Sequence, residues 1–547
     1  MVKNNTDGGR GERLLVPRGF KPEPLTDFSL LRNRLAMKTA LEFMAQKIGR
    51  NYPIIVGGTG FYLPQLASSL NPARANWGEV VGLISQAEER HANEAMRAAH
   101  DAFPEWSARG VHERARILRR AAQIMRERRF DLAAMEVYEV SKTWREADAD
   151  VAEAIDFLEY YAGMAEHLMP YRPTEVLLSE SNEFGYEGRG VAVVIAPWNF
   201  PIAIATGMCA AALATGNTVV FKPATSASMC GYKLVRILME AGVPAGVINL
   251  LTGAGSVLGE ALVKNEFTKN ILFTGSKAVG FQLIKWAAEA DFADQRQVRR
   301  VTAELGGKNA VVVDASADMD QAIFGIMRSA FGFQGQKCSA CSRVIVHDSI
   351  HDEFVRRLVG AASSLQLGDP EDPATDIGAV IDKAAFERVN RYIKIGFEEG
   401  ATLEYQEEAR GVLWRGYFVG PAIFSNVLPT SRLAQEEIFG PVLAVIRAES
   451  FAAAIAVAND SEYHLTGGIY SRTEEHLALA RRELRVGNLY INRGVTGAVV
   501  GRQPFGGFGA SGTGPKAGGP DYLVPLMEAR TITESLVRRG FSPKLKN

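Results

Sequence analysis

From residue 190 onward, short runs of aliphatic and β-branched residues alternate with helix-length segments. Val191-Ala192-Val193-Val194-Ile195 is the first such run. Thr218-Val219-Val220-Phe221, Val247-Ile248-Asn249-Leu250-Leu251 and Asn270-Ile271-Leu272-Phe273 follow it. None alternates apolar with polar, so each predicts a strand buried on both faces. Such strands occur in parallel sheets covered by helices, which makes the fold class α/β. The pattern resumes at Ala310-Val311-Val312-Val313 and Arg343-Val344-Ile345-Val346, so residues 310–500 read as a second α/β unit. The apolar stretch 191–221 is broken by Pro197-Trp198-Asn199, Pro201 and Gly216-Asn217. It therefore reads as strand, turn, helix and strand rather than as one membrane-spanning helix.

Upstream, residues near 30–50 and 80–165 read mostly as amphipathic helix. Val151, Ile155, Leu158, Ala162 and Ala165 recur at helical spacing and predict one buried face, with Glu153 off that stripe. Two segments, about 170–188 and 525–540, fit neither unit. Thr531-Ile532-Thr533-Glu534-Ser535-Leu536 in the second has a strand's alternation. It is expected to pair with another segment or another subunit. At 547 residues the chain exceeds one ordinary domain. A formal net charge of −1 gives no basic excess for nucleic acid. The polar first nine residues lack the apolar core of a secretory signal. Four cysteines in such a length make no disulfide framework, which fits a reducing, cytoplasmic compartment. Cys338 and Cys341 form a C-x-x-C, but no second pair completes a zinc set, so no metal is expected. A redox pair remains open at this point.

Cys338 lies in Phe333-Gln334-Gly335-Gln336-Lys337-Cys338-Ser339-Ala340, with Glu304 upstream in Ala303-Glu304-Leu305-Gly306-Gly307-Lys308-Asn309. Lys337 is expected to lower the thiol's pKa and favour the nucleophilic thiolate. A carboxylate such as Glu304 can serve as the base of a later hydrolytic step. Taken alone, Cys338 also fits a buried structural thiol, and Glu304 a solvated side chain or a helix cap. Phe273-Thr274-Gly275-Ser276 sits between a strand and a helix, where backbone N–H groups and the helix dipole suit phosphate. Gly253-Ala254-Gly255 with Gly259 has its third glycine one position away from the dinucleotide fingerprint. Asn199 between two prolines reads equally as a turn residue.

Six motifs occur in a fixed order: Pro197-Trp198-Asn199-Phe200-Pro201, Phe221-Lys222-Pro223-Ala224, Phe273-Thr274-Gly275-Ser276, Glu304-Leu305-Gly306-Gly307, Gly335-Gln336-Lys337-Cys338 and Glu436-Glu437-Ile438-Phe439-Gly440-Pro441. Together they resemble the aldehyde dehydrogenase superfamily over nearly the whole chain from about residue 50. The resemblance implies a Rossmann-type NAD(P)-binding domain over 51–169 and 189–303 and a catalytic domain over 304–505. It also implies a β-hairpin oligomerisation element over 170–188 and 520–540, with 1–50 left as an N-terminal extension and helix. By resemblance, Cys338 is the nucleophile and Glu304 the base. The Asn199 amide and the Cys338 N–H would hold the oxyanion. Ile195, Pro197, Trp198, Lys222, Thr225, Gly255, Gly275, Ser276, Val279, Glu437 and Phe439 would contact the cofactor. Glu437 rather than Glu436 would take the nicotinamide ribose. NAD-specific members often carry glutamate where Thr225 stands, so NAD use with NADP tolerated is expected.

The segment Thr496-Gly497-Ala498-Val499-Val500-Gly501-Arg502-Gln503-Pro504-Phe505-Gly506-Gly507, with Ser511-Gly512-Thr513-Gly514-Pro515-Lys516 beyond it, resembles the branch of that superfamily that oxidises L-glutamate γ-semialdehyde in proline degradation. That substrate carries an α-carboxylate and an ammonium opposite its aldehyde. By resemblance, the Gly497 and Ala498 N–H groups would grip the carboxylate, as anion-binding turns do. Ser339 and Lys337 would add a hydroxyl and a positive charge, Glu153 would face the ammonium, and Phe200 and Phe505 would clamp the aliphatic stem. Another carboxylated or aliphatic aldehyde is the alternative substrate. The length leaves no room for a second catalytic barrel, so one activity is expected. The small-molecule enzyme is expected to be a homo-oligomer.

Overall fold

The structure is a computed structural model that describes residues 16–175, 177–289 and 298–536. Residues 1–15 of the expected N-terminal extension and 537–540 of the expected oligomerisation element lie outside those residues.

The apolar runs form two seven-stranded sheets. The first has the order Arg300–Glu304, Thr268–Thr274, Val191–Ile195, Thr218–Lys222, Ile248–Leu250, Ile54–Val56, Thr59–Phe61. Its first five strands are parallel, and the hairpin from Ile54 to Phe61 adds to the edge antiparallel. Strand period sends alternate residues to opposite faces. Val191, Val193 and Val220 accordingly enter one apolar core, with Met96 and Leu258. Ala192, Val194, Val219 and Phe221 enter the other. That split is why the runs show no polar alternation.

The second sheet has the order Thr402–Gln406, Ala422–Ser425, Val442–Ala448, Cys341–His347, Asn309–Val313, Thr466–Tyr470, Asn488–Ile491. All its pairings are parallel except the antiparallel edge strand Thr402–Gln406. Ala310, Val312 and Ile345 pack on one side, and Val311, Val313, Val344 and Val346 on the other. Each such fully buried valine stabilises the fold by about 1.5–3 kcal/mol relative to an exposed one.

The region read as mostly helix over 80–165 contains a strand as well. Val80–Ser85 pairs with Arg50–Tyr52 and Leu66–Leu70. Helices Glu89–Ala108, Val111–Glu127, Arg129–Val140 and Trp144–Leu168 then follow. Val80-Val81-Gly82-Leu83-Ile84 is too short for an independent helix, and its apolar residues suit the middle strand of a small sheet better. In Trp144–Leu168 the predicted stripe Val151, Ile155, Leu158, Ala162 and Ala165 is wholly buried. Met527–Ser535 pairs antiparallel with Glu180–Gly188 along its whole length, and Arg172–Pro173 extends that ribbon.

Candidate active site

The two sheets meet at Glu304. It ends the edge strand Arg300–Glu304 of the first sheet, and Leu305-Gly306-Gly307-Lys308 carries the chain into Asn309–Val313 of the second. Cys338 approaches the same point from the other side, just before the strand Cys341–His347. The turn that delivers it is strained: Phe333, Gln334 and Gly335 have φ of 48°, 56° and 66°. Left-handed backbone costs roughly 1–2 kcal/mol at each non-glycine residue. Buried hydrogen bonds offset that cost. Gln334 Nε2 donates to Ala379 O at 2.7 Å, and Gln336 Oε1 accepts from Ile381 N at 3.0 Å. Asn309 Nδ2 donates to Cys338 O at 2.7 Å and to Ala340 O at 2.9 Å. Backbone strain held this way is characteristic of functional sites.

Cys338 Sγ lies 3.5 Å from Glu304 Oε1 and donates to it. Burial pushes the Glu304 carboxyl up to about 7, opposed by the Cys338 thiol and by the charge of Lys516. Burial, and next the Glu304 charge, push the Cys338 thiol well above its ordinary range. The expectation that Lys337 lowers that pKa is therefore overturned. Lys337 Nζ pairs with Glu146 at 2.7 Å, so its charge is spent on the helix Trp144–Leu168 rather than on the sulfur. The proton acceptor beside the thiol is Glu304. Asn199 is buried, and its Nδ2 donates to Gln336 O at 3.0 Å, which aims the amide at the backbone leading into Cys338. Its second N–H is left for another acceptor.

A cavity of about 510 Å³ opens on Cys338 and Glu304. Lys337, Ser339 and Phe200 line it near the sulfur. Gly497, Ala498 and Phe505 line it from the loop, and Glu153 from the helix. All seven residues expected at the substrate thus share one space. Gly497 takes φ of 74°, and neither its N–H nor that of Ala498 donates to an acceptor among the described residues. The loop is braced just beyond them, where Val499 N donates to Gln503 Oε1 at 3.0 Å and Val499 O accepts from Gln503 N at 2.9 Å. Burial, with Asp150 next, pushes the Glu153 carboxyl up to about 8.

On the other side, the residues expected at the cofactor gather around the C-terminal ends of the first sheet's strands, where doubly wound folds bind ligands. Ile195 ends its strand, and Pro197 and Trp198 follow. Lys222 ends the next strand, is buried, and among the described residues donates only to Pro223 O at 3.3 Å. Burial pushes that amine down to about 8. Thr225 Oγ1 donates to Gly253 O at 3.4 Å. Gly255 begins the helix Gly255–Lys264 and has open space where a Cβ would stand. Gly275 N donates to Glu304 O at 3.1 Å. Ser276 caps the helix Lys277–Ala288 by accepting from Val279 N, and Val279 is 46% exposed. Glu437 Oε1 accepts from Gly307 N at 2.9 Å. Burial pushes the Glu437 carboxyl up. Glu436 instead bonds Arg432 and the Tyr392 hydroxyl, so the structure separates two carboxylates that sequence alone barely could. Phe439, at φ of 55°, packs 5.6 Å edge-on from the Trp198 ring. A buried cation at a strand end, a capped helix start and an apolar helix surface together fit a dinucleotide.

Several neighbours escaped the sequence reading. Glu146, the partner of Lys337, is separated from it by 191 positions. Lys142 is fully buried between Glu136 at 2.9 Å and Asp150 at 3.2 Å, with the Phe200 ring 4.4 Å from its ammonium. Lys516 reaches Asn488 Oδ1 at 2.9 Å and carries the positive charge that faces Glu304. Residues 22–25 also line the cavity. Lys516 closes the motif that begins at Ser511, but its place facing Glu304 is not marked there, and no local motif marks the others. Lys142 lies in the short connection between the helices Arg129–Val140 and Trp144–Leu168, where a lysine reads as an ordinary solvated residue.

The fold and this site define a class, and the chain belongs to the aldehyde dehydrogenase family, whose sequence model matches residues 65–532. Among its relatives, the 1-pyrroline-5-carboxylate dehydrogenase of Geobacillus thermodenitrificans (strain NG80-2) is 47% identical over 515 residues, which are 94% of this chain and 99% of that one. The crystal structure of a 1-pyrroline-5-carboxylate dehydrogenase from Thermus with bound NAD superposes with a TM-score of 0.91 at 45% identity, over 95% of this chain and 99% of that one. Proline utilization A from Bdellovibrio bacteriovorus superposes with a TM-score of 0.93 at 44% identity. The match covers 96% of this chain but only 54% of that longer protein.

Proposed function

We propose that this chain oxidises L-glutamate γ-semialdehyde, the open form of 1-pyrroline-5-carboxylate, to L-glutamate, the second step of proline degradation. The observation that carries this reading is the Cys338–Glu304 contact of 3.5 Å in a cavity also lined by Gly497 and Ala498, whose N–H groups have no acceptor among the described residues. Glu304 takes the thiol proton, and the sulfur adds to the aldehyde carbon. The oxyanion that forms is held by the Asn199 amide and the Cys338 N–H. NAD bound along the first sheet's strand ends supplies the hydride acceptor. Lys222 would donate to its adenosine ribose, the backbone at Gly255, Gly275 and Ser276 would meet its phosphates, and Glu437 would hold its nicotinamide ribose. Ile195, Pro197, Trp198, Val279 and Phe439 would pack on its rings and sugars, and Thr225, being uncharged, leaves a 2′-phosphate tolerated.

The acyl group is then a thioester on Cys338. Glu304 returns to its carboxylate, which a pKa of about 7 permits at neutral pH, and draws a proton from the water that attacks. Thiolate leaves and glutamate is released. The Gly497 and Ala498 N–H groups and the Ser339 hydroxyl bind the α-carboxylate, and the Lys337 ammonium, while keeping Glu146, offers it one of its other N–H donors. Glu153 ionises when the substrate's ammonium lies beside it, because an adjacent cation favours the carboxylate. Phe200 and Phe505 close on the methylene stem.

The first sheet and its helices, over 51–169 and 189–303, act as the cofactor domain in this reading, and 304–505 as the catalytic domain. The exposed ribbon of Glu180–Gly188 and Met527–Ser535 joins subunits of a homo-oligomer. Among the described residues no helix is long and apolar enough to cross a membrane, and we place the enzyme in the cytoplasm on its cysteine usage. The test is a substrate panel with NAD and NADP in parallel. Glutamate semialdehyde should have the highest kcat/KM, above succinate semialdehyde and propanal. Equal values for all three would sink the assignment.

A further inference from the structure

We infer that the N-terminal segment 17–28 is a fixed wall of the substrate cavity, and that Pro22, Pro24 and Leu25 set the size of aldehyde admitted. The inference rests on the catalytic reading of Cys338 above and adds to it the element that bounds the far side of the site.

The segment runs antiparallel along the helix Trp144–Leu168, touching it at successive turns. Pro17 packs where a Cβ on Gly163 would collide with it. The Phe20 ring meets Tyr160 edge-on at 5.4 Å. Glu23 N donates to Asp156 Oδ1 at 2.6 Å, and Thr26 N to Asp148 Oδ2 at 2.8 Å. The Phe28 ring meets Trp144 at 5.6 Å. Helix residues 144–163 span about 28 Å, and residues 17–28 reach about 34 Å in polyproline form. The strap is thus nearly taut. Pro22 and Pro24, whose φ is fixed by their rings, suit that geometry and lose little entropy in it.

Charge pins the centre of the strap. The Glu23 carboxylate pairs with Arg126 at 2.9 Å and lies 3.6 Å from Arg129. Arg129 in turn grips Asp148 at 2.6 Å. Phe20 also abuts Gly501, at a position where a Cβ would come within 3.2 Å of its ring. The strap therefore touches both the helix that carries Glu153 and the loop that carries Gly497 and Ala498. Pro22, Glu23, Pro24 and Leu25 face the cavity that holds Cys338 and Glu304. A substrate extending from the sulfur past Glu153 meets this wall, and a short aldehyde does not.

The experiment compares kcat/KM for decanal and propanal, with NAD, in the full-length protein and two variants. Pro22→Gly/Pro24→Gly slackens the wall and should raise the decanal-to-propanal ratio by about ten-fold. Leu25→Trp, at a position 66% exposed and so little risk to folding, should lower that ratio by about ten-fold. Discrimination on this scale is what pocket shape ordinarily provides. A strap that only stabilised the fold would change both aldehydes alike. The inference stands if the ratio moves about five-fold or more in these directions in a variant that folds, and falls if it moves less. Failure of the unchanged protein to oxidise glutamate semialdehyde would remove the assigned substrate, while the alkanal ratio would still judge the wall.

Discussion

Replacing Glu304 with glutamine separates the two half-reactions. The carboxyl is poised at about 7, so about one-tenth is ionised at pH 6 and about nine-tenths at pH 8. If the carboxylate activates water, steady-state turnover of the unchanged protein rises about ten-fold between those values. Glu304→Gln should lower that turnover by roughly 10²–10⁴ and abolish the step near pH 7. The first NADH should survive, because the thiol can then give its proton to water, and the Glu304 charge is the second cause holding the Cys338 thiol high. Removing it lets the sulfur ionise more readily. The assay is stopped-flow NADH absorbance, with a burst of about one per subunit expected before a slow phase. Stability supplies an independent check. A carboxyl raised from 4.5 to about 7 binds its proton more tightly folded than unfolded. The native state therefore loses stability as pH rises from about 4.5 through 7, by up to about 3 kcal/mol. Glutamine has no such loss, so the variant's Tm should gain on the unchanged protein's above pH 7. Equal loss of burst and steady state, or a surviving pH step in the variant, would refute the reasoning.

Asn199→Ala should cut kcat by about 10²–10³ with little change in KM, as removal of one oxyanion donor does; steady-state kinetics would show it, and an unchanged kcat would exclude the role. Thr225→Glu should lower kcat/KM for NADP relative to NAD by about ten-fold or more through like-charge repulsion; parallel titrations of the two cofactors decide it. Leu158→Ala, at a wholly buried position of the long helix, should cost about 2–5 kcal/mol of stability, read by urea denaturation, with activity per folded molecule retained.

What the sequence made legible follows from local physics. Runs such as 191–195 and 310–313 report two-sided burial directly, because each successive valine enters a different core. Motif residues that act through their own backbone or neighbours, such as Ser276 capping its helix, were equally readable. Contacts made across the chain were not. Lys337 stands next to Cys338 in sequence, yet its charge goes to Glu146, and no spacing rule foretells that. Glu436 and Glu437 are adjacent and chemically identical; only the turn before Phe439 sends one to Tyr392 and the other to Gly307. The strap was unreadable for the same reason, since its partners Asp148 and Asp156 lie more than a hundred positions away.

Acid-quenched mass spectrometry of the Glu304→Gln protein, mixed with glutamate semialdehyde and NAD, tests the central claim most directly. One glutamyl group should appear per subunit, on the peptide that contains Cys338, and should be absent when Cys338 is replaced by alanine. An unmodified Cys338 during NADH formation, or an acyl group on another residue, would contradict the account.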